Sequence, residues 1–233
     1  MTTSPLFNPF APYEWSRISA RGGEALTFLQ GQLSQDVSNV GPDGVWSLLL
    51  SPTSEVLTSL RVLRNEEGFD LEVPREVAAA AHARLRRFLL RTDCSLELTE
   101  VTGGPIATVG EQVDGGVAGP REFAKELTPQ CFGHSFVASM VSFKKGCFTG
   151  QELVGRLDAR GASVPWRLVR ASGPSLERLN DALSSQGPVG GPQGVTTAID
   201  RDGGVLGLGF VHRSALVDDA LATFGDVNLT EIV

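Results

Sequence analysis

Cys147 stands in the run Lys144-Lys145-Gly146-Cys147-Phe148-Thr149-Gly150-Gln151-Glu152, where two lysines precede a thiol and Arg156 and Arg160 follow it. A thiol becomes a useful nucleophile when neighbouring cations or a helix N-terminus stabilise its thiolate. The chemistry expected here is therefore thiolate chemistry at Cys147, with Lys144, Lys145 and Arg156 tuning the sulfur and Gln151 and Glu152 holding the loop in shape. Glycines at 146 and 150 let the chain bend tightly and turn amide groups toward a ligand. A second reading of Cys147 stays open, that of a small buried packing residue. Glu152 also has two readings, an acid or base beside the thiol and an i+4 partner for Arg156, and the spacing favours the pair.

The flanking pattern suggests what positions this run. Val137, Met140, Val141 and Phe143 suit a buried strand, and residues 150–155 a short turn of helix, which puts the thiol at a strand-to-helix junction. Upstream, Leu26, Leu29, Leu33 and Val37 recur at helical spacing over 24–37, with Gln30 and Gln32 flanking the apolar stripe. Residues 45–50 and 56–63 are rich in branched side chains and read as strands. A turn at 65–68 leads to a third strand over 69–73. Pro74 then opens a helix over 75–90 with Val77, Ala81, Leu85 and Phe88 on one face, and Cys94, Leu96 and Leu98 alternate as in a half-buried strand. This is an α+β module. The glycine-rich stretch 102–120 reads as turns or a flexible connection. Beyond the thiol run, a strand over 166–171, a helix over 175–184 and a hairpin of 195–199 with 205–211 complete the chain.

Composition narrows the function classes. A chain of 233 residues can bury a sizeable core in one large or two small domains. A formal charge of -7 argues against non-specific nucleic-acid binding as the main role. No segment approaches membrane-spanning length, and the N-terminus lacks the charged and apolar regions of a signal peptide, so a soluble cytoplasmic protein is expected. Three cysteines without a C-x-x-C pair fit free thiols in a reducing compartment. His82, His134 and His212 are isolated and read as structural or surface residues, with no metal bound by this chain alone. No P-loop or strand-linked G-x-G-x-x-G is present.

The stretch 142–161, SFKKGCFTGQELVGRLDARG, closely resembles the signature of the YgfZ family, folate-binding proteins related to the aminomethyltransferase (T-protein) of the glycine cleavage system. Its K-G-C-aromatic-x-G-Q-E core and the arginines after it are all present. Residues 28–37 (FLQGQLSQDV) are similar to the family's L-Q-G-Q-L-x-x-D-V helix, residues 84–91 (RLRRFLLR) to its second basic helix, and residues 207–213 (GLGFVHR) to the strand that ends its last domain. The resemblance implies a multi-domain ring of ferredoxin-like α+β modules. It divides the chain into a folate-binding region over 1–160 and a small C-terminal β-barrel over 161–233. It implies a tetrahydrofolate ligand, with Trp15 stacking on the pterin and Gln32 and Asp36 hydrogen-bonding in the same pocket. Trp15 also reads as a core tryptophan, and Asp36 as the end of its helix. Gln151 and Glu152 are carried over with the motif.

The departures are equally specific. Where T-proteins carry an aspartate that activates the folate nitrogen, residues 54–60 place Ser59, which supplies no charge. The stretch 117–130 lacks the family's R-x-E-x-G-x-P segment, and Cys131 stands where a glutamate often follows Pro-Gln. Both changes bear on folate binding. A chain with three scattered cysteines cannot hold a cluster that needs about four thiolates. The resemblance therefore implies an accessory protein that assists iron–sulfur enzymes, tRNA-modifying ones included, or cluster-assembly proteins, with no membrane or direct nucleic-acid partner. The alternatives are a tetrahydrofolate-dependent aminomethyltransferase or demethylase, and a folate-binding regulatory module without thiol chemistry.

Overall fold

A computed structural model describes residues 14–101, 108–159, 164–185, 187–188, 190–217, 220–221 and 224–232. The first stretch runs β1 (Trp15–Arg21), α1 (Ala25–Gln32), β2 (Val45–Leu50), β3 (Val56–Asn65), β4 (Gly68–Pro74), α2 (Arg75–Arg86) and β5 (Ser95–Val101). The middle carries α3 (Val109–Gly115), α4 (Pro120–Phe123), a 3-10 turn Pro129–Phe132, α5 (His134–Met140) and α6 (Gln151–Ala159). The last stretch runs β6 (Trp166–Gly173), α7 (Leu176–Ser184), β7 (Gly194–Arg201), β8 (Gly204–His212), β9 (Leu216–Val217), β10 (Ala220–Leu221) and β11 (Asn228–Glu231). Two compact units result. The described residues of Tyr13–Pro105 and Phe123–Ser163 form one, and those of Ile106–Glu122 and Val164–Ile232 the other.

In the first unit the strands form an antiparallel sheet of order β2-β3-β4-β1-β5. Side chains alternate across a pleated strand, so Ile18 and Ala20 share a face with Leu71 and Phe69 opposite them. Phe28 and Leu29 of α1 and Ala78, Ala81 and Leu85 of α2 join these residues in one buried core. The other face carries charge in register: Arg17 lies opposite Glu72, and Ser19 opposite Asp70. There Arg21 reaches Asp70 at 2.6 Å and Arg61 reaches Glu72 at 2.7 Å.

Several elements differ from the sequence expectation. The run 137–143 is no strand: α5 covers its first part, because 137, 140 and 141 are spaced i, i+3, i+4, which is helical rather than alternating. Phe136 on the same helix packs against Phe132 at 5.2 Å. Thus the thiol lies between two helices, and α6 continues for nine residues instead of a single turn. Helix α1 stops at Gln32, since Leu33 is extended and bridges to Leu49, which leaves Asp36 beyond the helix. Within the stretch read as turns or a flexible connection, α3 forms with a capping box, in which the Thr108 side chain and Glu111 satisfy each other's free amides. Arg160 and residues 102–107 lie outside the described residues.

The second unit is built on an antiparallel sheet of order β11-β6-β8-β7, with α7 packed on it through Leu179 and Leu183. The expected hairpin is present as β7 and β8, but the described strands make an open sheet with edges rather than the closed barrel expected of this part. One carboxylate, Glu122, is wholly buried here. It accepts hydrogen bonds from Gln112 Nε2 (2.9 Å), the Gly119 amide (2.7 Å) and Thr197 Oγ1 (2.7 Å), and burial pushes its pKa up.

Candidate functional site

A helix end leaves its last carbonyls without intrahelical partners, and the end of α1 is no exception. Here the thiol run and its flank, more than a hundred residues away in sequence, meet one of them and the carbonyls of the extended stretch that follows. Gly31 O accepts from the Thr149 amide at 3.0 Å, and Ser34 O accepts from the Ser142 amide at 3.0 Å. Lys145 Nζ donates to Leu33 O at 2.7 Å and to Gln35 O at 2.9 Å, which places a cation where the helix dipole favours one. Ser34 Oγ ties the same corner to Met140 O and receives the Leu48 amide.

The far end of the run is pinned as firmly. Gly150 has a φ of +81°, and a Cβ there would stand 2.4 Å from Ser51 O and 2.9 Å from Leu50 Cβ, so only glycine fits. Ser54 Oγ donates to Gly150 O at 2.6 Å. Gln151 Oε1 accepts from the Phe148 amide at 3.1 Å, and Phe148 is buried. Between these anchors Cys147 is exposed, whereas Cys131 is buried and Cys94 half-buried, and no disulfide joins any two of them.

Beside the run lies a cavity of about 270 Å³ lined by Ser142, Phe143, Lys145, Phe148, Gln151 and Glu152 together with Gly155. The Lys145 ammonium also lies 5.4 Å from the centre of the Phe148 ring. Burial lowers the Lys145 pKa to about 8, and Asp36 pulls the other way. Asp36 itself is held down to about 2, first by the Ser38 hydroxyl and amide and then by the Gln30 amide, all donating to Oδ1.

Of the residues singled out by sequence, Lys145, Gln151 and Glu152 line this cavity and Asp36 acts electrostatically on Lys145. Cys147 and Lys144 are exposed and do not line it, and the others are engaged elsewhere. Arg156 pairs with Glu152 at 2.7 Å on the exposed side of α6, as the i+4 spacing predicts. Gln32 accepts from Arg84 Nη1 at 3.2 Å, while Arg84 also reaches Leu50 O and sits 3.9 Å over the Phe88 ring. Trp15 is 4% exposed, in β1 between Pro74 and Val101. Ser59 is buried in β3 opposite Leu48. His82 contacts Leu96 O and His212 contacts Ser214. Among the described residues no group of three or more His, Cys, Asp or Glu is placed to hold a metal, and no helix is long and apolar enough to cross a membrane.

Sequence reasoning missed Ser34, Gln35, Ser38 and Thr149, which fix the lysine, its carboxylate and the loop. Ser38 follows Asp36 by two, the spacing of a side-chain turn, and that signal was available. The pairing of Lys145 with the α1 end had no local signal.

No family model and no curated protein matches the sequence. Among solved structures, the chain is similar to the glycine cleavage system aminomethyltransferase T from Bartonella henselae. The TM-score is 0.59 at 14% identity, over 88% of this chain and 78% of that one. The chain has the fold of that aminomethyltransferase.

Proposed function

We propose that this chain is a folate-binding, YgfZ-like accessory protein that supports the assembly or repair of iron–sulfur enzymes, tRNA-modifying ones included, with Cys147 as the working thiol. The observation that carries the proposal is the exposure of Cys147 on a loop whose neighbours on both sides are anchored. A fixed, accessible sulfur suits a transient bond to a partner, and a lone thiol is too few ligands for a resident cluster. The aminomethyltransferase-like fold supports a folate-related role. Ser59, buried and uncharged at the position of the transferase aspartate, favours an accessory protein over a one-carbon transferase. Folate would then be a bound ligand, with Trp15, Gln32 and Asp36 as its candidate contacts.

The test is the activity of iron–sulfur enzymes in cells lacking this protein, re-supplied with the wild type or with Cys147→Ser, alongside tetrahydrofolate binding by the purified chain. Restoration by the wild type alone is expected. Equal restoration by both makes Cys147 structural and favours the regulatory module, whereas turnover of a one-carbon donor with no restoration by either favours the transferase.

A further inference from the structure

The chain leaves α2 as Arg84-Leu85-Arg86-Arg87-Phe88-Leu89-Leu90-Arg91. Leu85 is buried and Leu89 packs against the same core, so the residues between and beyond them turn outward. Phe88 is 41% and Leu90 79% exposed, and Arg86, Arg87 and Arg91 are exposed around them. Seven arginines elsewhere, Arg17, Arg21, Arg61, Arg75, Arg156, Arg178 and Arg201, each lie within 4 Å of a carboxylate, while Arg64 and Arg170 donate to backbone carbonyls. Among the described residues no carboxylate lies that close to Arg84, Arg86, Arg87 or Arg91. Asp93, the nearest acid along the chain, accepts from the Gly23 amide at Oδ2, and its own amide donates to Glu24 Oε2.

The tip is also held in shape. The Phe88 and Leu89 amides donate to Leu85 O and Arg86 O, and the Glu24 amide donates to Asp93 O. Arg91 has a φ of 56°, a left-handed conformation uncommon for a residue with a side chain.

We infer that this tip, Arg84 to Arg91, docks on an anionic lipid bilayer, with Phe88 and Leu90 entering the interface and Arg86, Arg87 and Arg91 engaging lipid phosphates. An aliphatic side chain as exposed as Leu90 has no stacking partner in a nucleic acid, while the boundary of headgroups and acyl chains accommodates leucine, phenylalanine and arginine together. The rest of the acidic chain does not cancel the attraction, because charges beyond roughly 8 Å are screened at physiological salt. The inference departs from the expectation of no membrane partner and is independent of the thiol.

Co-sedimentation of the full chain with phosphatidylcholine vesicles, with and without phosphatidylglycerol, tests it. Binding is expected on the anionic vesicles and to weaken with salt. Each arginine replaced by serine lowers it about fivefold, so Arg86→Ser with Arg87→Ser lowers it about 25-fold. Leu90→Ser, which removes no packing, lowers it about tenfold. Unchanged thermal melting of these variants shows that folding is intact. Failure to bind anionic vesicles, binding insensitive to Leu90→Ser, or tighter binding to a single-stranded RNA at the same salt overturns the inference.

Discussion

Lys145 and Glu122 are both removed from water, one in each unit, and their surroundings answer in opposite ways. The lysine is half-buried at the rim of a cavity, its ammonium met by two carbonyls just beyond the end of α1 and by the field of Asp36. The glutamate is sealed, and the Gln112, Gly119 and Thr197 groups that donate to it are all neutral. Burial favours the uncharged form of each, lowering the lysine to about 8 and raising the glutamate. The difference separates site from scaffold. Lys145 keeps a proton equilibrium near neutrality beside open space, whereas Glu122 serves as a polar pin joining α3 and the turn at 119–122 to β7.

The largest effect is expected at that pin. Glu122→Ala leaves the Gln112 amide, the Gly119 amide and the Thr197 hydroxyl buried without acceptors, a loss of roughly 3–4 kcal/mol in urea unfolding. Glu122→Gln retains acceptors and costs less. The two variants also differ from wild type in pH dependence. A folded pKa raised above the usual 4.5 means that the native state binds the extra proton, so this contribution is present at low pH and is lost as pH rises through the folded value. Glu122→Gln should flatten that decline, and a slope equal to that of wild type would remove Glu122 as its source.

Lys145 gives the mirror image. Lys145→Met keeps the aliphatic stem but abandons two carbonyls, with an expected cost of about 1–2 kcal/mol. Because the folded pKa of about 8 lies below the ordinary 10.5, the unfolded chain binds more protons between those values. Wild-type stability therefore gains a contribution as pH rises from 8 to 10.5, complete above the upper value, and the methionine variant should lack it. Loss of the thiol run's order without loss of the α1 end, read by hydrogen exchange at Thr149 and Phe148, would confine the role of Lys145 to the loop.

Much of the architecture was legible from composition and spacing. The strands over 45–50 and 56–65 show in their branched side chains, the strand over 68–74 in its alternation of apolar and polar residues, and the helices over 75–86 and 176–184 in their helical spacing. The error at 137–143 came from reading hydrophobicity without its period, although 137, 140 and 141 already carried the helical interval. The site was legible by motif and not by geometry. Lys145 and Gln151 stand out in the motif, but the motif makes the lysine a neighbour of the thiol, whereas it donates to the carbonyls just beyond α1. That partnership links positions 110 and 112 apart, and no local pattern encodes it. Glu122 escaped notice for the same reason, since its donors come from 112, 119 and 197.

The smallest effect sharpens the comparison most. Asp36 lies near Lys145 and its charge favours the ammonium, while Glu122 has no charged counterpart among these hydrogen-bond partners. Asp36→Asn removes that field and also weakens the turn in which Ser38 and Gln30 donate to the carboxylate. The cost above pH 4 should be below about 1 kcal/mol, because the group is close to solvent and screened. Its pKa of about 2 lies below the ordinary 3.8, so the wild type loses this contribution as pH falls between them, and the variant should not. The decisive reading is on the lysine. Without Asp36 to favour the ammonium, the Lys145 pKa should fall further below 8, measured by NMR on carbon-labelled lysine. A value that stays put would mean that the two carbonyls alone set the lysine's charge, and Lys145 would then resemble Glu122 in resting on neutral partners.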